Sequence, residues 1–192
     1  MNDLLKIINN YDVVPQLEYY QSEVWELYEA IFDYENTYFE PYTDYSIEPE
    51  RSVSEEEQKK YLKKHIAEEI TDNCVMLYQF PLYYYERLDE HNIAPYEFKT
   101  DNYEHIEDIN EYFKKFMKSI FKLNRAVIIA EERDQDYISE HLYEEVTYAV
   151  DEVIYKLVSI KEHYHISTKD LKEIGEYKIN RQLKRMKEDK WK

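Results

Sequence analysis

The sequence predicts an all-α helical bundle, built as a tandem duplication of one helical unit. Three observations predict it. The 192 residues hold a single glycine and five prolines, whereas β-rich and dinucleotide-binding folds need glycine in their turns and phosphate loops. Charged residues make up 35% and hydrophobic residues 43%, the balance expected of amphipathic helices. Apolar residues recur at spacings of three and four through most of the chain, the period of a helix with one buried face.

The elements follow in order. Leu17, Tyr20, Val24, Leu27 and Ile31 form one stripe, predicting a helix over about 15 to 34 with Pro15 in its first turn. Residues from about 36 to 54, with Pro41 and Pro49, show no sustained period and read as a loop. Ser54 followed by Glu57 is a capping box that opens a helix over about 55 to 80. Its stripe is Leu62, Ile66, Ile70, Asn73, Leu77 and Phe80, and Pro81 is placed to end or kink it. Asn92-Ile93-Ala94-Pro95 reads as a turn. A helix over about 104 to 130 is followed by a polar break at Asp134-Gln135-Asp136. Another covers about 138 to 162, with Leu142, Val146, Val150, Val153 and Leu157 inside. Ser167 or Thr168 caps a last helix over about 169 to 188, which Gly175 weakens by roughly 1 kcal/mol.

Composition excludes several classes. A net charge of −17 argues against a nucleic-acid binder, because no broad basic surface can offset it. The apolar runs are too short to span a bilayer. Cys74 is the one cysteine, so no intramolecular disulfide forms, which fits a reducing cytoplasm. The start, Met1-Asn2-Asp3-Leu4-Leu5-Lys6, does not read as a secretory leader. The Lys, Asn, Tyr and Ile usage points to an AT-rich genome, such as that of a Gram-positive bacterium or its phage.

The duplication is read from His65-Ile-Ala-Glu-Glu-Ile-Thr-Asp72 set against His141-Leu-Tyr-Glu-Glu-Val-Thr-Tyr148, four residues of which are identical. Ile93 to Lys99 likewise resembles Ile166 to Lys172. Self-similarity on this scale predicts a first unit over residues 1–100 and a diverged second unit over 101–192, together one compact domain. The second unit has Tyr148 for Asp72, and lysines in the helix from Lys114 to Leu123.

The chemistry-bearing residues are two acidic pairs. Glu23 and Glu26 lie one turn apart, as do Glu69 and Asp72, so each pair puts two carboxylates on one helix face. Glu23 and Glu26 flank an apolar stripe and therefore lie at the edge of a buried face. Two such helices face to face gather four carboxylates, a set that needs a cation, and oxygen ligands without His or Cys suit Mg2+ or Mn2+. Either pair alone is most often a solvated helix face, and the argument rests on their combination. His163 and His165 are weak evidence for a transition metal, and Cys74 reads as core.

With these flanks, Glu-x-x-Glu in Gln21-Ser22-Glu23-Val24-Trp25-Glu26-Leu27 and Glu-x-x-Asp in Glu68-Glu69-Ile70-Thr71-Asp72, the chain resembles the MazG-like, all-α nucleoside triphosphate pyrophosphatases. That superfamily includes dimeric dUTPases and phage dCTPases. The resemblance is best over residues 16 to 80, and extends to the basic run Lys178 to Arg185. It implies hydrolysis of a nucleoside or deoxynucleoside triphosphate to monophosphate and pyrophosphate. Glu23, Glu26, Glu69 and Asp72 would hold the Mg2+, with Glu26 or Glu69 as general base. Trp25 and Asn73 are candidates for base or ribose contact, against core roles for both. Lys178, Arg181 and Arg185 are candidates for the triphosphate, against pairing with the acidic surface. The implied partner is the nucleotide, and a homodimer is compatible with the sequence. The competing reading is non-catalytic: a nucleotide-binding protein, or an acidic protein that inhibits a partner by imitating nucleic acid.

Overall fold

The computed structural model describes residues 13–36, 54–88, 102–133 and 138–187. These fold into five helices: α1 (Val13–Asn36), α2 (Glu55–Glu86), α3 (Ile109–Arg133), α4 (Glu140–His163) and α5 (Thr168–Lys187). The predicted all-α class holds among the described residues. Residues 37–53 of the loop expected over about 36 to 54, the turn at Asn92–Pro95 and the break at Asp134–Asp136 lie outside them.

Four starts have a chemical reason, and α3 begins at Ile109, where the Asp108 carboxylate accepts from the Asn110 and Glu111 N–H groups, rather than at about 104. Ser54 accepts from the Glu57 N–H while the Glu57 side chain accepts from the Ser54 N–H, so the capping box forms as expected. Ser139 caps α4 through the Leu142 N–H. Ser167 rather than Thr168 caps α5, accepting from the Asp170 N–H at 3.0 Å. Pro81 does not end α2, which continues to Glu86. Its ring and the neighbouring Phe80 and Leu82 are buried, and that packing sustains the helix past the missing hydrogen bond.

The helices close into a ring. α1 packs on α2, α2 on α4, α4 on α3, and α3 returns to α1. This is a four-helix bundle, and α5 lies outside the ring against α2. The core takes Tyr20, Leu27, Ile66, Leu77, Phe80 and Tyr84 from the first hairpin, and Phe116, Leu123, Val146, Val150 and Leu157 from the second. The expected division at residue 100 is not a division of contacts, since α2–α4 and α1–α3 cross it and α5 returns to α2. Polar ties fix the outer connections. Arg87 donates to Glu131 at 2.7 Å, and the Tyr164 hydroxyl donates to Glu35 at 2.9 Å.

The two hairpins bury matching positions. In α1 they are Val13, Gln16, Leu17, Tyr20, Glu23, Val24, Leu27 and Ile31, and 96 residues later in α3 they are Ile109, Tyr112, Phe113, Phe116, Ser119, Ile120, Leu123 and Val127. For α2 and α4 the shift is 80: Ile66, Glu69, Ile70, Asn73, Leu77, Gln79 and Phe80 correspond to Val146, Ala149, Val150, Val153, Leu157, Ser159 and Ile160. The shift implied by setting His65 against His141 is one turn shorter. The short sequence match follows a surface pattern: His65 meets Glu69 at 3.3 Å and His141 meets Glu145 at 3.6 Å, yet Glu69 is buried and Glu145 exposed. Burial fits a shift of 76 as well as one of 80, but the contact of Ser119 with Glu152, set against that of Glu23 with Asp72, follows the shift of 80.

Candidate metal centre

α1 and α2 lie against each other at the level of Glu23 and Glu69, and one side chain sets that level. Asn73 falls on the apolar stripe of α2 and is 0% exposed. Its amide nitrogen donates to the backbone oxygens of both Glu23 and Glu69 at 2.9 Å. A buried amide must find partners, and here they are the two backbones that carry the acidic residues. Asn73 thus sets the register of the two acidic motifs, with its amide N–H bonds committed to that task. Its Oδ1 is buried without a partner.

Oxygens of Glu23, Glu69 and Asp72 come within 4.8 Å of one another. Glu23 and Glu69 are 8% and 6% exposed, and they are the two charged residues of the core among those described. At an effective dielectric of about 20, each ionised pair at this separation repels by about 3 kcal/mol. Burying such a group unpaired is disfavoured further. The titration behaviour reflects both costs. Desolvation, followed by the charges of Asp72, Glu26 and Glu69, pushes the Glu23 carboxyl up to about 7. Glu69 is raised by burial and then by Asp72. Asp72 is raised by burial, against the pull of Lys178 and Arg181.

The donor set fits a hard divalent ion. It offers carboxylate oxygens alone, and Glu69 Oε2 is buried without a hydrogen-bond partner. An octahedral Mg2+ holds its oxygens at about 2.1 Å, so ligands of one ion lie within about 4.2 Å of one another, a separation near that of these carboxylates. Glu26 is the fourth expected ligand. It stands outside the cluster of three, exposed at the lip one turn from Glu23, and Ser22 Oγ donates to it at 3.4 Å.

The other expected site residues divide. The Lys178 ammonium donates to Asp72 Oδ2 and to the Glu68 backbone oxygen, the latter at 3.2 Å. Arg181 is exposed, one turn beyond, and close enough to lower Asp72. The side chain of Arg185 lies outside the described residues. Trp25 sits two residues from Glu23, about 200° round the helix, so its ring faces away from the carboxylates. It is 58% exposed, stacks on Tyr28 with centroids 5.2 Å apart and donates to Glu29 at 3.1 Å. His65, beside Glu69, was not among the expected residues, although its i,i+4 spacing to Glu69 was visible. Among the described residues, His163 and His165 join no metal-binding cluster. Desolvation pushes the Cys74 thiol up to about 12, so it carries no thiolate at neutral pH. No described helix is long and apolar enough to cross a membrane.

Comparisons with protein-family models, with curated proteins and with solved structures give no match.

Proposed function

We propose that the chain is a Mg2+-dependent nucleoside triphosphate pyrophosphatase, converting a nucleoside or deoxynucleoside triphosphate to its monophosphate and pyrophosphate. The observation that carries this reading is the convergence of Glu23, Glu69 and Asp72, two of them buried, on helices held in register by Asn73. A buried carboxylate oxygen without a partner, in a cluster of like charges, is stabilised by a divalent cation. When bound, the ion would neutralise phosphate charge and acidify an attacking water.

This chain's residues divide the remaining work. Glu23, Glu69 and Asp72 hold the ion, with Mn2+ as the alternative to Mg2+. Glu26 stands at the solvent edge, one turn from Glu23, where it can accept a proton from a water approaching the site. Glu69 is the second candidate base, since burial raises its basicity. Lys178 and Arg181, one turn apart on α5, supply cations for the phosphate oxygens. Trp25 faces another direction, and the reading does not use it. The matched burial registers of the two hairpins support descent from one duplicated unit, in which the first copy keeps the acidic site.

The test is turnover of a panel of NTPs and dNTPs with Mg2+, resolving monophosphate and pyrophosphate from diphosphate and phosphate. Glu69→Gln and Asp72→Asn should each lower the rate by about 100-fold or more. Formation of diphosphate and phosphate would sink the proposed reaction. A second reading, nucleotide binding without cleavage, is favoured by the Lys178–Asp72 ion pair, which already holds one carboxylate. Saturable nucleotide binding with no product would select it.

A further inference from the structure

The last helix is attached unlike the other four. None of the described side chains of α5 is fully buried. Leu171 and Ile174 are partly buried against the core. At Gly175 the backbone approaches α2 closely enough that a Cβ there would touch Thr71 Cγ2 at 3.4 Å. Beyond Gly175 Lys178 ties α5 to α2, donating to Asp72 and to the Glu68 backbone oxygen, and Ile179 and Leu183 are half-buried. The outer half of α5 is therefore anchored in part through a carboxylate of the acidic cluster.

One ammonium ion is an incomplete answer to that cluster. Lys178 engages Asp72, while Glu69 Oε2 remains buried without a partner. A divalent ion carries twice the charge and can take an oxygen from each of Glu23, Glu69 and Asp72. Lys178 and such an ion compete for the same Asp72 carboxylate and repel each other. A ligand shifts such an equilibrium only through its preference for one of the two states, and here that preference is charge repulsion at a shared carboxylate.

Resting on the metal reading above, we propose that Lys178 is a tethered stand-in cation: a divalent ion entering the acidic cluster displaces it from Asp72 and releases the outer half of α5. Lys178 and Arg181 then become available to an anionic ligand of the ion, so metal entry prepares the phosphate contacts. The coupling is reciprocal, because whatever loosens α5 also favours the metal.

The experiment uses the full chain, with Mn2+ as probe. Mn2+ binding is measured by electron paramagnetic resonance for wild type, Lys178→Gln and Ile174→Ala, and amide hydrogen exchange is followed along α5. Lys178→Gln should bind Mn2+ about tenfold more tightly, within the usual range of such couplings. Removing a nearby positive charge would do that without any motion, so Ile174→Ala is the sharper variant. It leaves every charge in place and loosens only the packing of α5, and it should also tighten Mn2+ binding. In wild type, saturating Mn2+ should speed exchange beyond Gly175, whereas in Lys178→Gln that segment should exchange fast without metal. Unchanged α5 protection on Mn2+ binding, or no gain in Ile174→Ala, overturns the displacement while leaving the metal site standing. Absence of Mn2+ binding at millimolar concentration in all three proteins overturns the metal site and the displacement with it.

Discussion

Opposite the acidic cluster in the register of the bundle lies a neutralised counterpart. Where α1 has Glu23 and Glu26, α3 has Ser119 and Lys122; where α2 has Glu69, Asp72 and Asn73, α4 has Ala149, Glu152 and Val153. The second set is satisfied from within. Lys122 donates to both oxygens of Glu152 at 2.8 Å and Ser119 adds a bond at 3.0 Å. Burial pushes the Glu152 carboxyl up, but these partners outweigh it and hold it below its usual value. The first set gathers three carboxylates round one lysine, and Glu23 rises to about 7. The same helix geometry thus yields an ion pair where the charges balance and a cluster of unbalanced carboxylates where they do not. The surface follows the same register: Trp25 and Phe121 are both exposed, as are Phe32 and Ile128.

The largest expected effect separates the two hairpins by metal. Mg2+ at 100 times its dissociation constant should stabilise the wild type by about 2.7 kcal/mol, a rise in melting temperature of about 5 to 10 °C for a chain of this size. Calorimetry with and without Mg2+ should show that rise kept in Glu152→Gln and lost in Glu69→Gln. Equal responses from both variants would break the assignment of the site to the first hairpin.

Next in size is Asn73→Ala. It removes the buried hydrogen bond to the Glu23 backbone oxygen that joins α2 to α1, together with one inside α2 to the Glu69 backbone oxygen, and should cost about 2 kcal/mol in urea denaturation. It should also weaken Mg2+ binding, because the carboxylates lose their common register. Intact Mg2+ binding in a destabilised Asn73→Ala would confine the residue to packing.

The pH dependence comes third, and its sign is fixed. A carboxyl raised above its unfolded value binds its proton more tightly in the folded state, so its contribution is present at low pH and lost as pH rises through about 7. Without metal, the advantage of Glu23→Gln over wild type in melting temperature should therefore grow from pH 5 to pH 8. The variant difference is the useful quantity, because His163, lowered by burial, contributes the opposite slope near pH 6. Adding Mg2+ at pH 8 should erase or reverse the advantage.

The smallest effect belongs to the balanced side. Lys122 is 63% exposed in its pair with Glu152, so Lys122→Ala should cost less than about 1 kcal/mol. It should leave the Mg2+ response untouched. A loss well above that figure would show that the two regions are coupled through the core.

Much was legible beforehand, for reasons that can be named. The stripes from Leu17 to Ile31 and from Ile66 to Phe80 repeat with the helical period, and a period is a local property. The Ser54–Glu57 box is local too. The carboxylate pairs could be read as pairs because residues three apart share a helix face. The likeness of His65–Glu69 and His141–Glu145 as strings sets the hairpins one turn away from the register in which Ser119 meets Glu152 as Glu23 meets Asp72. Only the contacts made with the neighbouring helix separate the two registers. Glu26 and Trp25 were less legible, since a residue near a motif can face the cluster, the solvent or a third helix.

By itself the sequence determined the helical class, the capped starts at Ser54 and Ser167 and the two acidic pairs, because spacing and capping act within a few residues. The tertiary structure alone decided which carboxylates meet, that Asn73 joins their backbones, that α5 returns Lys178 to Asp72, and that Glu152 is answered by Lys122. Each of these depends on how one helix slides and turns against another. That setting comes from side-chain packing summed over the whole interface, which no short stretch of residues encodes.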